Sequence, residues 1–216
     1  MKNVLELFSG TRSIGKEAEK NGHNVFSVDW TNYKDTDLVI DIAKLKMEDI
    51  PFVPDFIWAS PDCSTYSIAA CGLHRHPNKE PKTKKAMDSD NMNQHWIGLV
   101  KKWLKINPDM VFFIENPRGN LRKMSWMQEF TRHTVWYCQY GDFRAKPTDI
   151  WTNSKTWIPR PQCKNFSYNP DGTIENRHCH HASARRGSAT GTQSIKGTHL
   201  RSVIPIELCE SVIKTL

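Results

Sequence analysis

Apolar positions along the chain fall first into short runs of strand length and then into helical spacing, and the two alternate through the first half. The pattern predicts a strand over 3–8, a helix over 13–21, strands over 24–29 and 37–41, and a fourth strand over 55–59 behind Pro54. Alternation of this kind builds a mostly parallel, twisted sheet wrapped by helices, so the expected fold is α/β and Rossmann-like. From 61 to 90 the periodicity dissolves into Pro, Asn, Lys and small residues, a stretch too long for an ordinary connection and therefore read as a mobile active-site loop. Trp96, Leu99, Val100, Trp103 and Leu104 then give a helix over 91–106, followed by a strongly apolar strand over 110–115. Later strands are expected over 134–139 and 148–152. The polar stretch 159–199 reads as a small irregular extension. Residues 205–216 close the pattern with a helix whose apolar face is Ile206, Leu208, Cys209, Val212 and Ile213, so 1–158 plus 200–216 are expected to form one domain around that extension.

The 216 residues suit one core. Lys and Arg outnumber Asp and Glu by 30 to 23, a formal net charge of +7, which favours a polyanionic partner over an acidic or neutral one. No apolar run approaches the roughly 20 residues needed to cross a bilayer. The first residues run directly into a strand without a basic leader, and six irregularly spaced cysteines suit a reducing compartment, so a cytoplasmic monomer with no membrane partner is expected.

Four short segments carry candidate chemistry. Phe8-Ser9-Gly10-Thr11 is a strand end running through a Gly turn into a helix, where backbone N–H groups can approach a ligand. Asp29 ends the next strand, the place where α/β nucleoside sites grip ribose hydroxyls, and Trp30 beside it is either an adenine-stacking indole or a packing residue. Pro61-Asp62-Cys63-Ser64-Thr65-Tyr66-Ser67 follows the fourth strand at the carboxyl edge of the sheet, where a thiolate is a strong nucleophile if charge or backbone dipoles lower its pKa; the alternative is a small buried apolar Cys. Glu115-Asn116 ends the apolar strand at the same edge, either capping local structure or meeting the edge of a base.

In this order and spacing the segments resemble the DNA cytosine-5 methyltransferase family. Phe8-Ser9-Gly10 is similar to its Phe-x-Gly cofactor turn, Asp29-Trp30 to its adenosine contact, and Asp41-Ile42 to the pair reading the adenine amino group. Cys63 to Ser67 resembles the nucleophile motif Cys-Gln-x-Phe-Ser, Glu115-Asn116 the Glu-Asn pair, Tyr140-Gly141 with Arg144 and Lys146 the later Tyr-Gly-x-x-Gln-x-Arg-x-Arg segment, and Arg201 to Pro205 the Asn-Ser-Val-Pro helix start. Departures are Arg12-Ser13 for Gly-Gly, Asp62 for Pro, Pro117 for Val, and Arg144, Lys146 and Thr148 in the later segment; the short stretch 159–199 is expected to stand in place of the family's large target-recognition domain.

The resemblance implies S-adenosyl-L-methionine as cofactor, held by Phe8, Ser9, Gly10, Thr11, Asp29, Trp30, Asp41, Ile42 and Pro61. It implies catalysis by Cys63, Glu115, Arg144 and Lys146, and substrate contacts from Ser64, Tyr66, Ser67, Asn116, Arg185 and Arg186. DNA is the implied partner, with RNA open. In that mechanism the cytosine is flipped out of its stack, Cys63 adds to C6, and C5 takes the methyl group. The basic residues His74, Arg75, His76, Lys79, Lys82, Lys84 and Lys85 are read either as a phosphate-facing lid or as a solvated loop. Cys163, Cys179, His178, His180 and His181 lack zinc-site spacing, and no metal is expected. Trp126, Trp136, Trp151 and Trp157 are assigned to packing. Two other functions fit the same chain: methyl transfer to an exocyclic amino group of cytosine or adenine, which needs no thiol, and a silent cofactor- or DNA-binding regulator.

Overall fold

A computed structural model of the chain describes residues 1–163, 166–168, 170–171, 174–177 and 195–216. Strands β1 (Asn3–Leu7), β2 (Asn24–Asp29), β3 (Leu38–Val39), β4 (Phe56–Ala59), β5 (Val111–Pro117), β6 (Arg132–Trp136) and β7 (Pro147–Thr152) form one seven-stranded sheet in the order β3-β2-β1-β4-β5-β7-β6. The first five are mutually parallel, and β7 runs antiparallel to both β5 and β6. The expected mostly parallel α/β architecture is thus present. A separate two-stranded antiparallel sheet, β8 (Phe166–Tyr168) with β9 (Ile174–Arg177), lies within the stretch read as irregular.

The central strands are apolar on both sides because helices cover both faces. Helix α1 (Ser13–Lys20), the short α2 (Cys71–His74), α3 (Lys84–Ile106), α4 (Thr198–Ser202) and α5 (Ile206–Ile213) complete the chain. Leu5, Leu7, Ile57, Phe112 and Ile114 face α3, whose Trp96, Leu99, Val100 and Trp103 are buried against them. The alternate residues Val4, Phe56, Trp58 and Phe113 face α1 and α5, meeting Ile14, Ala18, Leu208 and Val212. This alternation also decides where polar groups emerge. Glu6 pairs in register with Trp58, and Trp58 with Phe113, so Glu6, Trp58 and, two residues beyond Phe113, Glu115 project from one face of the sheet.

Three elements depart from the sequence expectation. The strand expected over 37–41 shortens to Leu38–Val39, because Asp41 turns its carboxylate onto the Ala43 amide at 3.0 Å and starts a 3-10 turn. The strand expected over 134–139 breaks at Trp136, and 137–140 form a 3-10 turn closed by Gly141 in the left-handed region at φ 81°. Helix α3 begins at Lys84 instead of residue 91, with the Thr83 hydroxyl accepting from the Ala86 amide at 3.3 Å.

That early start removes the expected mobile loop. The Arg75 guanidinium, fully buried, chelates Asp90 on α3 through Nη1 (3.0 Å) and Nη2 (2.7 Å), donates to the Thr65 carbonyl at 3.0 Å and lies 4.3 Å over the Tyr66 ring. Tyr66 in turn donates from its hydroxyl to Asp90 at 2.6 Å, and its carbonyl accepts from the Asn120 amide at 2.7 Å. A side-chain carbon on Gly119 would stand 2.6 Å from that same carbonyl, so only glycine fits there. The segment after Cys63 is therefore clamped between α3 and the β5 exit. Among the described residues no helix is long and apolar enough to cross a membrane.

Candidate active site

At the carboxyl ends of β1, β4 and β5, where open α/β sheets hold ligands, lies a cavity of about 660 Å³. It has four walls. The first is the β1 exit, Phe8, Ser9, Gly10 and Thr11, above Glu6; the second is the β4 exit, Ser60 to Ser64, with Ser67, Ala69 and Ala70. Glu115 and Pro117 of β5 with Lys146 form the third, and Arg201, Ser202 and Ile204 the fourth.

Local geometry shapes the β1 exit. Phe8, Gly10 and Arg12 all adopt positive φ (56°, 48° and 52°), curling the backbone before α1. Asp29, buried at the end of β2, accepts from the Gly10 amide at 3.0 Å through one oxygen and from Thr31 at 2.8 Å through the other, which fixes the curl from behind. The Ser9 hydroxyl is buried beside the cavity without a hydrogen-bond partner among the described residues.

Glu6 accepts from the Ile14 and Gly15 amides at 3.1 and 3.0 Å, capping α1 from inside the sheet. Burial nevertheless dominates and pushes its carboxyl up to about 7, the two amides and Arg12 only partly offsetting it. A carboxyl protonated more readily in the folded chain than in the unfolded one stabilises the fold below the unfolded value of 4.5, and that contribution is lost as pH rises through about 7. Unfolding free energy from urea titrations is therefore expected to carry a Glu6-dependent decline of about 3 kcal/mol between pH 4.5 and 7.5, absent from a Glu6→Gln protein.

Across the cavity, Glu115 is buried; its Oε1 accepts from the Tyr137 hydroxyl at 3.0 Å and is ion-paired with Lys146 Nζ at 3.8 Å. Lys146 also donates to the Arg201 carbonyl at 3.2 Å and sits 4.4 Å over the Tyr137 ring. Burial drives the Lys146 ammonium below the usual lysine range, Glu115 opposing it. The Cys63 thiol is held above its ordinary value, first by burial and then by the charges of Asp62 and Glu115, with Lys146 acting the other way. Asp62 holds the turn around it by accepting from both the Ser64 amide (3.1 Å) and the Ser64 hydroxyl. The side chain that replaces the resemblance's Pro thus serves as a turn clamp.

Of the residues singled out in the sequence, the structure brings Phe8, Ser9, Gly10, Thr11, Pro61, Cys63, Ser64, Ser67, Glu115 and Lys146 to one cavity. Others lie elsewhere. Tyr66 is buried with Asp90 and Arg75, so it is a strut of the turn and offers nothing to a substrate. Asn116 is buried behind the wall, its Nδ2 donating to the Pro61 carbonyl at 2.8 Å. Arg144 does not line the cavity: its guanidinium chelates Asp142 and donates to the Arg201 and Val203 carbonyls, both at 3.1 Å, tying the fourth wall to the third. Asp29 acts through Gly10, Trp30 stands 76 % exposed outside the cavity, Asp41 caps its own turn, and Ile42 belongs to the core against α3. Arg185, Arg186 and the cluster of His178, Cys179, His180 and His181 lie outside the described residues; within them no group of three or more His, Cys, Asp or Glu gathers as for a metal.

Sequence reading missed Glu6, Trp58 and Tyr137, and it placed Arg201 and Ser202 in a matching segment without giving them a place in the site. The alternation along β1 and β4 was the available signal for the first two: Glu6 is a lone charge on a strand otherwise buried on both faces. Tyr137 carried no signal, because it reads as a strand residue until the turn at Gly141 rotates it under Glu115.

The fold and cavity together define an open α/β domain with a ligand-sized hollow at the carboxyl edge of its sheet. No protein-family model and no curated protein matches the chain. Among solved structures it is similar to Spodoptera frugiperda DNMT2, in an E260A/E261A/K263A mutant, at 18 % identity and a TM-score of 0.48 over 82 % of this chain and 58 % of that one. It is also similar to the S. pombe Dnmt2 methyltransferase at 12 % identity and a TM-score of 0.49 over 76 % and 54 %. The chain thus spans a little over half the length of each.

Proposed function

We propose that the chain transfers a methyl group from S-adenosyl-L-methionine to C5 of cytosine in DNA, with Cys63 as the nucleophile. The observation that carries this reading is the sharing of one cavity by the Cys63 thiol, the Glu115–Lys146 pair and the curled Phe8–Thr11 backbone. An amino-group methyltransferase has no use for a thiol there.

The residues suit the cofactor. Ser9 offers a buried hydroxyl with no partner among the described residues, and the backbone between the positive-φ residues Phe8 and Gly10 lines the hollow. Phe8, Ser9, Gly10, Thr11 and Pro61 would hold the cofactor, while Asp29 keeps the turn in shape. When bound, the sulfonium would supply an electrophilic methyl group and a positive charge beside a thiol whose pKa is raised by burial and by two carboxylates.

The chain's own groups account for the remainder. Cys63, as thiolate, forms a bond to C6 of the base, and the electron pair displaced from the C5–C6 double bond makes C5 nucleophilic. Glu115 accepts from the base's exocyclic amino group and holds the ring over the sulfur. Lys146 neutralises that buried carboxylate and, through the Arg201 carbonyl, closes the wall that excludes water. After methylation the C5 proton leaves to a base, the C5–C6 double bond reforms and the thiolate is expelled.

The test is incubation with methyl-labelled S-adenosylmethionine and, separately, DNA and RNA, followed by nucleoside mass spectrometry. Label in 5-methylcytosine of DNA is the expected result. Label confined to RNA would correct the polymer, and label on an exocyclic nitrogen, or tight cofactor binding without any transfer, would overturn the reading.

A further inference from the structure

We infer that Tyr137 is a positioning residue that fixes the orientation of the Glu115 carboxylate so that its second oxygen is left for the base. The inference rests on the proposed role of Glu115. Both protein contacts to that carboxylate fall on Oε1, from the Tyr137 hydroxyl at 3.0 Å and Lys146 at 3.8 Å, and no described residue donates to Oε2. Glu115 itself borders the cavity, so the unclaimed acceptor belongs to the part of the side chain a ligand can reach.

The geometry makes Tyr137 the stiffer of the two supports. Its ring is wholly buried in the core under α5, and its backbone is pinned by the amide's bonds to the Ala145 and Lys146 carbonyls at 3.2 and 3.4 Å. Lys146 is longer and more mobile by nature, and the same ring carries it at 4.4 Å. One aromatic side chain therefore orients both members of the Glu115–Lys146 pair. Burial, together with the neighbouring Glu115 charge, keeps the phenol far above the ordinary tyrosine range, so it remains a donor throughout the working pH range. This arrangement replaces what the resemblance assigns to position 144, while Lys146 keeps its place beside Glu115: the Arg144 guanidinium holds Asp142 and the Arg201 and Val203 carbonyls. Tyr137 supplies the rigid donor that Arg144 does not.

Removal of one hydrogen bond to a charged group lowers turnover by about 10- to 100-fold if the group acts in the transition state. Tyr137→Phe is therefore expected to reduce kcat by that factor while the KM for DNA and the Kd for S-adenosylmethionine stay within about threefold. A merely structural role would instead lower the melting temperature and weaken cofactor binding in step with activity. Para-methylphenylalanine at position 137 fills the hydroxyl's space without a donor, and serves if Tyr137→Phe does not fold. Para-aminophenylalanine restores a donor and is expected to recover most of the lost kcat. Wild-type kcat in a folded donor-free variant, or loss that the restored donor does not repair, would overturn the inference while leaving the proposed function standing. Absence of methyl transfer by the wild-type chain would overturn both.

Discussion

A Cys63→Ser protein is expected to lose methyl transfer to cytosine by at least about 10³-fold while folding and binding S-adenosylmethionine as the parent does. Oxygen for sulfur is a small change of volume in a half-buried side chain at a cavity wall, so neither packing nor the Phe8–Thr11 turn is disturbed. The change of chemistry is large: a hydroxyl beside Asp62 and Glu115 has no route to a useful anion, and without an adduct at C6 the C5 carbon stays unreactive. Labelled-methyl transfer under single-turnover conditions, with cofactor affinity measured by calorimetry, separates the two quantities. Retention of more than a tenth of the rate would remove Cys63 from the chemistry and leave amino-group methylation as the better account.

The largest stability effect is expected away from the cavity. Arg75→Ala leaves Asp90 facing the buried Tyr66 hydroxyl with no countercharge, and breaking a buried pair from one side costs about 3–5 kcal/mol. Urea unfolding should show the midpoint falling with the slope unchanged. The double substitution Arg75→Ala/Asp90→Ala is expected to recover part of the loss, since the stranded carboxylate is then gone. Because Arg75 also holds the Thr65 carbonyl, two residues from Cys63, transfer activity should fall even where the protein remains folded. A midpoint unchanged by Arg75→Ala would mean that the ion pair contributes nothing net.

What was legible in the sequence, and what was not, follows from which side chains face inward. Strands β1, β2, β4 and β5 and the second half of α3 announce themselves because their buried positions are apolar. The first turns of α3 do not, because the residues turned inward there are Ser89, Asp90 and Asn93, which serve Tyr66 and Arg75 and look like loop composition in one dimension. Arg75 is hidden for the same reason: among His74, His76 and the lysines it reads as one more solvated charge, although it is the only one of that run that is fully buried. Cys63 and Glu115 could be singled out because one lies in the turn after β4 and the other near the end of β5, both at the ligand edge of the sheet. Arg144, by contrast, shares a spacing with the resemblance but not a direction, and Asp142, two residues earlier, decides where it points.

The last wall of the hollow has a temporal meaning. During synthesis the Cys63 turn emerges well before residues 201–204, the segment that lines the fourth side of the cavity and is held there by Arg144 and Lys146 donating to the Arg201 carbonyl. On the proposed function, a chain that has not yet added residues 201–204 carries the Cys63 sulfur with one wall of its hollow missing.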